Sequence, residues 1–241
     1  MLISAAHYPA ELAAMVDRRA HGLPLEYVIG WAEFCGLRIA VEPGVFVPRH
    51  RTELLVTEAV ACAREGAVVV DMCCGSGAVG AAVSRARPGI DLHAADIEPA
   101  AVECARRNLA EIGAQVYHGD MYQALPSTLR GRVDVLVANV PYVPTADIEL
   151  LPREARDHEP RVSLDGGGDG LDVARRLVGG ALDWLAPGGH LLVETSDRQA
   201  RAALGLVSAS GLTARIAVNE ELEATVVIGT NALTPGRAPA G

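Results

Sequence analysis

"VVVDMCCGSGAVG", residues 68–80, is the stretch that decides how this chain folds. It runs from a short apolar segment ending in Asp71, through a turn of small residues, into a helix-forming "AVGAAVSRA". Gly75, Gly77 and Gly80 stand in a Gly-x-Gly-x-x-Gly spacing. Glycines so placed permit a tight turn, close approach of a ligand to the backbone and close packing of the following helix. A strand, a glycine turn and a helix in this order begin a parallel α/β sheet. The spacing alone fits a dinucleotide, S-adenosylmethionine (SAM) or a purely structural turn.

Working outward, the same rhythm repeats. "IDLHAAD" reads as a strand and "PAAVECARRNLAEIG" as a helix with Pro99 at its first turn. "AQVYHGD" and "VDVLVAN" read as further strands, "GLDVARRLVGGALDWL" as a helix, "GGHLLVE" as a strand and "DRQARAALGLVSASG" as a helix. "TARIAV" and "ATVVIG" close the chain as a strand pair. Strands and helices alternating in this way specify a parallel sheet covered on both faces. Before it, residues 8–21 predict a short helix with Leu12, Met15 and Val16 on one face. "LEYVIGWAEFCGLRIAVEP" alternates between breaks at Gly30 and Gly36, which predicts strands or a hairpin. "TELLVTEAVACARE" predicts a helix with Thr52 as its N-cap. The tail "TPGRAPAG" carries the signature of disorder. The divisions are therefore 1–45 for a short helix and hairpin, 46–230 for the main α/β domain, and 231–241 for a disordered tail.

Composition narrows the chemistry. Half of the 241 residues are hydrophobic, enough for a full core, yet no apolar run reaches the ~18 residues of a membrane span. The N-terminus has no basic start followed by an apolar block, so it does not read as a secretory signal. Five cysteines with no Cys-x-x-Cys pair, and no Cys/His cluster at zinc spacing, fit a reducing cytoplasm and no metal site. All 21 basic side chains are Arg. Without Lys there is no Schiff base and no P-loop lysine. A net charge of −9 argues against tight binding to nucleic acid, where phosphate contacts carry most of the affinity.

Ligands of open α/β sheets bind beyond the carboxyl ends of the strands. Asp96 ends the second strand, 19 residues after Gly77, where a carboxylate takes both hydroxyls of a ribose. NAD and SAM both satisfy this. Three features favour SAM. Asp71 ends the first strand, where it can hold the α-amino group that NAD lacks. Asp120 ends the third, where it can accept from an adenine amino group; a plain turn residue is the alternative. Asn139 ends the fourth, followed at once by Val140, Pro141 and Tyr142.

With "VFVPRHRTELLV", "VDMCCGSGAVG", "AADIEPAAVECARRN", "VANVPYVP", "HEPRVSLDGGGDGLDVARRL" and "PGGHLLVE" in this order, residues 18–230 resemble the HemK-like family, SAM-dependent methyltransferases of the glutamine side-chain amide in peptide-chain release factors. The resemblance implies a class I, Rossmann-like methyltransferase: a mainly parallel seven-stranded sheet, helices on both faces, an antiparallel strand at the C-terminal end. It implies SAM as cofactor and no metal, since SAM carries its own electrophilic charge. It implies that Asn139, Val140, Pro141 and Tyr142 clamp a planar amide: the Asn139 side-chain oxygen and the Val140 carbonyl as acceptors, Pro141 holding Val140 extended, Tyr142 stacking. Cofactor contacts fall on Asp71, Cys73, Gly75, Gly77, Asp96, Ile97, Asp120, Met121 and Asn139, and substrate contacts on Phe46, Pro48, Arg49, Tyr142 and Glu194.

There are departures from the family pattern. Val140 stands where the family has Pro. Met72, Cys73 and Cys74 replace a Gly-Thr turn, and both thiols read as buried filler. "PRHRTE" replaces a proline-acid version and puts His50 and Arg51 near the expected cleft mouth, which suits a carboxylate on the substrate. Glu194 is kept but the His-Gly that often follows it is not. About 25 residues precede the hairpin, where the family carries a longer helical docking domain. The expectation is therefore a reduced docking surface and weak action on an intact release factor. The substrate would be a protein or peptide glutamine; a small amide, amino or guanidino metabolite, or an adenine amino group of nucleic acid, is the alternative chemistry. An oxidoreductase of the same fold leaves the Asn139 segment without a role, and a SAM-binding relative without catalysis is the non-enzyme alternative.

Overall fold

The computed structural model describes residues 2–6 and 8–232. At the N-terminal end lie α1 (Leu2–Ala5), α2 (Pro9–Ala20) and α3 (Leu25–Ile29), then the hairpin β1 (Trp31–Phe34) and β2 (Leu37–Ala40). The alternation follows: α4 (Glu53–Cys62), β3 (Val68–Met72), α5 (Ala78–Ala86), β4 (Asp91–Asp96), α6 (Pro99–Leu109), β5 (Gln115–His118) and β6 (Val133–Ala138). The chain continues through α7 (Arg153–His158), α8 (Asp172–Trp184), β7 (Leu185–Thr195), α9 (Ala200–Ala209), β8 (Thr213–Asn219) and β9 (Ala224–Thr230).

Seven strands form one sheet in the order β5-β4-β3-β6-β7-β9-β8. The first five run parallel, and β9 pairs antiparallel with both β7 and β8. This is the fold the sequence implied. The residues of β3 alternate between two cores. Val69 packs with α4, α5 and α6, whereas Val70 and Met72 pack with α8 and α9. β3 is buried at every position, as a central parallel strand must be.

Two expectations near the N-terminus are corrected. "LEYVI" is the helix α3, not a strand. Pro24 stands at its N-cap, Gly30 closes it in the left-handed region at φ 81°, and the Gly30 N–H donates to the Glu26 carbonyl at 2.7 Å. The Tyr27 hydroxyl donates to the Val45 carbonyl at 2.7 Å, so tertiary contact overrides the strand propensity of the segment. Thr52 is at the N-cap position of α4 but its side chain makes no cap bond. The apolar face of α2 is only partly covered: Leu12 and Met15 are half-buried and Val16 is 51% exposed. The hairpin is tied to α6, where Asn108 Nδ2 donates to the Ala40 carbonyl and Oδ1 accepts from the Ala40 N–H. Of residues 231–241, read as a disordered tail, 233–241 lie outside the described residues, while Asn231 is anchored by Nδ2 bonds to the Leu185 and Ala186 carbonyls.

The two adjacent glycines of α8 have opposite surroundings. A Cβ on Gly180 would stand 2.5 Å from the Tyr122 ring, which stacks on Trp184, whereas one on Gly179 would meet nothing. Gly179→Ala is therefore expected to raise unfolding stability by up to ~1 kcal/mol through helix propensity. Gly180→Ala is expected to lower it by about 1–3 kcal/mol through overlap with the ring. Urea denaturation of both variants measures the opposite signs.

Candidate active site

A cleft of about 650 Å³ opens beyond the carboxyl ends of β3, β4 and β6 and the turn after β5. Strand order reverses at β3, where the chain goes one way to β4 and β5 and the other to β6 and β7, so this is the topological switch point. Parallel register sets the strand ends side by side: Met72 is paired with both Ala95 and Ala138, and Asp96 with His118.

One half of the cleft is built from the glycine turn and three carboxylates. Gly77 is at φ 77° and a Cβ there would lie 3.0 Å from Leu109, so a side chain would push α6 away. Asp96 accepts from the Gly75 N–H at 2.8 Å with one oxygen and from the Glu98 N–H at 2.9 Å with the other. Burial raises its carboxyl, and these bonds offset part of the rise. Each oxygen keeps a lone pair, which is what a pair of ribose hydroxyls needs. Asp71 is 1% exposed and accepts from the Gly80 N–H at 2.9 Å. Burial pushes its carboxyl up to about 8, and the neighbouring Asp96 charge adds to the rise. Asp120 is already engaged by Arg176 of α8, Nη2 to Oδ2 at 2.6 Å, a partner the sequence did not reveal. Ile97, 45% exposed, and Met121 give the edge apolar surface. Cys73 and Met121 both hold φ near +50°, a left-handed backbone that strains a residue with a side chain. Cys73 and Cys74 both line the cleft; Cys74 is buried, and the Cys73 thiol is pushed up by burial and by Asp96, Asp71 and Asp120.

In the other half, Asn139, Val140, Pro141, Tyr142, Phe46, Pro48 and Arg49 all line the cleft. Asn139 Nδ2 donates to Thr52 Oγ1 at 3.2 Å, which turns its side-chain oxygen away from Thr52. Among the described residues the Val140 carbonyl accepts no backbone hydrogen bond. The Tyr142 hydroxyl donates to Glu194 Oε1 at 3.2 Å, and the Arg51 guanidinium lies 5.8 Å from the ring centroid.

Three expected contacts have other surroundings. Glu194, 2% exposed, sits behind Thr52 and Tyr142 and is not among the residues lining the cleft. Arg49 is held by Glu159, its Nη2 2.7 Å from both carboxylate oxygens. Glu159 also accepts from the Val47 N–H at 3.2 Å, so this ion pair ties the 46–52 segment to the 158–172 loop. His50 is exposed and pairs with Glu53 outside the cleft, while Arg51 does reach the cleft wall, 3.6 Å from Glu194.

The glycine-rich segment 165–170 explains itself here. The Gly166 N–H donates to the Val143 carbonyl at 2.8 Å, and a Cβ on Gly166 would stand 2.7 Å from the Pro141 oxygen. A Cβ on Gly170 would stand 2.3 Å from the Tyr142 oxygen. Gln199 Nε2 then bridges the Tyr142 and Asp169 carbonyls at 2.9 Å each. Backbone packed on backbone holds the 139–142 segment from behind. Among the described residues no His, Cys, Asp or Glu side chains are grouped to hold a metal, and no helix is long and apolar enough to cross a membrane.

Residues 36–152 match the family model of the methyltransferase small domain. A solved methyltransferase from Pyrococcus furiosus has the same fold, with TM-score 0.61 at 16% identity over 93% of this chain and 100% of that one. Fold and cleft define a class I SAM-dependent methyltransferase. A release factor glutamine methyltransferase of Geobacter sulfurreducens is 43% identical over 208 residues, 84% of this chain and 72% of the relative. One from Streptomyces coelicolor is 39% identical over 198 residues, 80% of this chain and 70% of the relative. The chain belongs to the release factor glutamine methyltransferase family.

Two measurements test this geometry. Gly170→Ala is expected to cost about 2 kcal/mol or more of stability through overlap with the Tyr142 carbonyl, and Gly168→Ala, in open space, less than about 0.5 kcal/mol. The second concerns Asp71. Its folded pKa is raised above the unfolded value, so its contribution to stability is present below about pH 4 and is lost as pH rises through about 8. Without ligand, Asp71→Asn is therefore expected to gain stability relative to the parent as pH rises across that window. Parallel stability curves would contradict it.

Proposed function

We propose that this protein transfers a methyl group from SAM to the side-chain amide nitrogen of glutamine in a protein or peptide, with a release factor loop as the substrate to test first. The observation that carries the reading is the convergence of an Asn139 carboxamide turned by Thr52 and an unpaired Val140 carbonyl beside three strand-end carboxylates. Family membership favours a protein glutamine over a metabolite or a nucleic-acid base, and the net charge of −9 argues the same way against a polyanion.

The residues present fit the cofactor. Asp96 offers free lone pairs to a ribose, the buried Asp71 carboxyl suits an α-amino cation, and the Ile97–Met121 edge suits an adenine beside the Asp120 carboxylate. When bound, SAM supplies a methyl group on a positively charged sulfur. The chain supplies orientation. An amide nitrogen is flat, with its lone pair delocalised perpendicular to the amide plane. Two acceptors in that plane, Asn139 Oδ1 and the Val140 carbonyl, take its two N–H groups and turn one face of the nitrogen toward the cofactor half of the cleft. Val140 in place of Pro keeps this carbonyl. The Tyr142 hydroxyl, kept neutral by burial, is fixed by Glu194 and leaves the ring to meet the planar amide. The Arg51 guanidinium over the ring is within cation–π range.

Calorimetry with SAM and its demethylated product is expected to give a Kd of about 1 μM, roughly −8 kcal/mol. Asp96→Ala should weaken it by about 1.5–3 kcal/mol, the scale of hydrogen bonds to a charged group. Asn139→Ala should keep that affinity and lower turnover about 10²-fold or more. The deciding assay compares methyl incorporation into a release factor, a peptide of its glutamine loop, the same peptide with glutamine replaced, and free amides. Methylation that survives loss of the glutamine, or appears only on free amides, overturns the proposal.

A further inference from the structure

The clamp works only if Asn139 presents oxygen, not nitrogen, to the substrate. A carboxamide has the same outline either way round, and the strand end alone does not choose. If Nδ2 faced the cleft, it would set donor against the donor N–H groups of a substrate amide. Something behind Asn139 has to make the choice.

The wall behind it is a buried polar relay. Thr52, 3% exposed, lies at the end of the turn that leads into α4 and accepts from Asn139 Nδ2 at 3.2 Å. A hydroxyl has one proton to give. The Thr52 hydroxyl stands beside Glu194, where it offsets the rise that burial imposes on that carboxyl. Glu194 Oε2 is buried without a hydrogen-bond partner. Its other oxygen already takes the Tyr142 hydroxyl at 3.2 Å, with the Arg51 guanidinium 3.6 Å away to support the charge. The Thr52 oxygen accepts from Asn139 Nδ2, and that bond decides which way round the carboxamide sits.

We propose that Thr52 is a positioning residue of the acceptor site: by accepting from Asn139 Nδ2, it fixes the Asn139 carboxamide with Oδ1 toward the substrate. The inference rests on the glutamine-methylating reading for its purpose, but its geometry stands apart from it. Two side chains behind the wall thus set the clamp: Thr52 holds Asn139, and Glu194 holds Tyr142. This also explains why Thr52 makes no cap bond to α4: its hydroxyl is committed elsewhere.

The test uses Thr52→Val, which keeps the shape and removes the hydroxyl, and Thr52→Ser, which restores it. On a glutamine loop peptide, Thr52→Val is expected to lose about 10–100-fold in kcat with affinity for the demethylated cofactor within about twofold, and Thr52→Ser to recover most of the loss. A second readout needs no turnover. The carboxamide 15N–1H pair of Asn139, assigned by its loss in Asn139→Asp, should shift and exchange faster with solvent in Thr52→Val, and stay near the parent in Thr52→Ser. Unaltered Asn139 signals in Thr52→Val, parent-like kcat in that variant, or a Thr52→Ser as impaired as Thr52→Val would each overturn the inference. If the parent methylates no glutamine substrate, the proposed function fails, while the Asn139 signals still decide the positioning of the carboxamide.

Discussion

The parallel pairing of β3 with β4 on one side and β6 on the other is the constraint on which the rest of the structure depends. It brings Asp71, Asp96 and Asn139 to one rim although they are spread over 69 positions of the chain. A shift of one residue in either pairing would turn every side chain of that strand to the opposite face. The continuous burial of β3 makes such a shift costly, because its alternate residues belong to two separate cores. The sheet therefore fixes the site to the precision of its hydrogen-bond register.

Around that rim the structure separates holding from doing. The 139–142 segment leaves the sheet as irregular chain and would be free to move on its own. It is pressed from behind by the backbone of 165–170, which has glycine at Gly166 and Gly170 because no Cβ fits between the two chains. Gln199 closes the same seam. On the other flank, the Arg49–Glu159 pair joins the 46–52 segment to the loop at 158–172, so Phe46, Pro48 and Thr52 are set relative to the clamp. With Glu159 buried and Arg49 partly exposed, the pair adds little net stability but is costly to break from the Arg49 side, which would leave the Glu159 charge unpaired. Its use here is to fix the relative position of two loops.

Much of this was legible in the sequence. Apolar runs ending in Asp71, Asp96 and Asn139 gave the strands and their ends, and the glycine spacing gave the turn. What failed to show were interactions between segments far apart in the chain. "LEYVI" has the composition of a strand, and only its caps and the Tyr27–Val45 contact make it helical. Thr52 has the local pattern of an N-cap, and nothing near it in sequence points to Asn139, 87 positions away. Arg49 reads as a free cation until Glu159 is placed beside it. Glu194 has the right position in the family pattern, but burial, which sequence does not give, puts it behind the wall. The one available signal was the family-specific "HEPRVSLDGGGDG" itself: an acid and clustered glycines in an irregular stretch mark a loop with tertiary obligations.

The central claim is that Asn139 Oδ1 and the Val140 carbonyl together accept the two N–H groups of a glutamine amide. A crystal structure of the protein with the demethylated cofactor and a glutamine loop peptide measures this directly. The account places the amide nitrogen about 2.7–3.2 Å from both oxygens, with Asn139 Nδ2 still on Thr52. A glutamine amide bound elsewhere in the cleft, or an Asn139 turned so that Nδ2 faces the peptide, would contradict it.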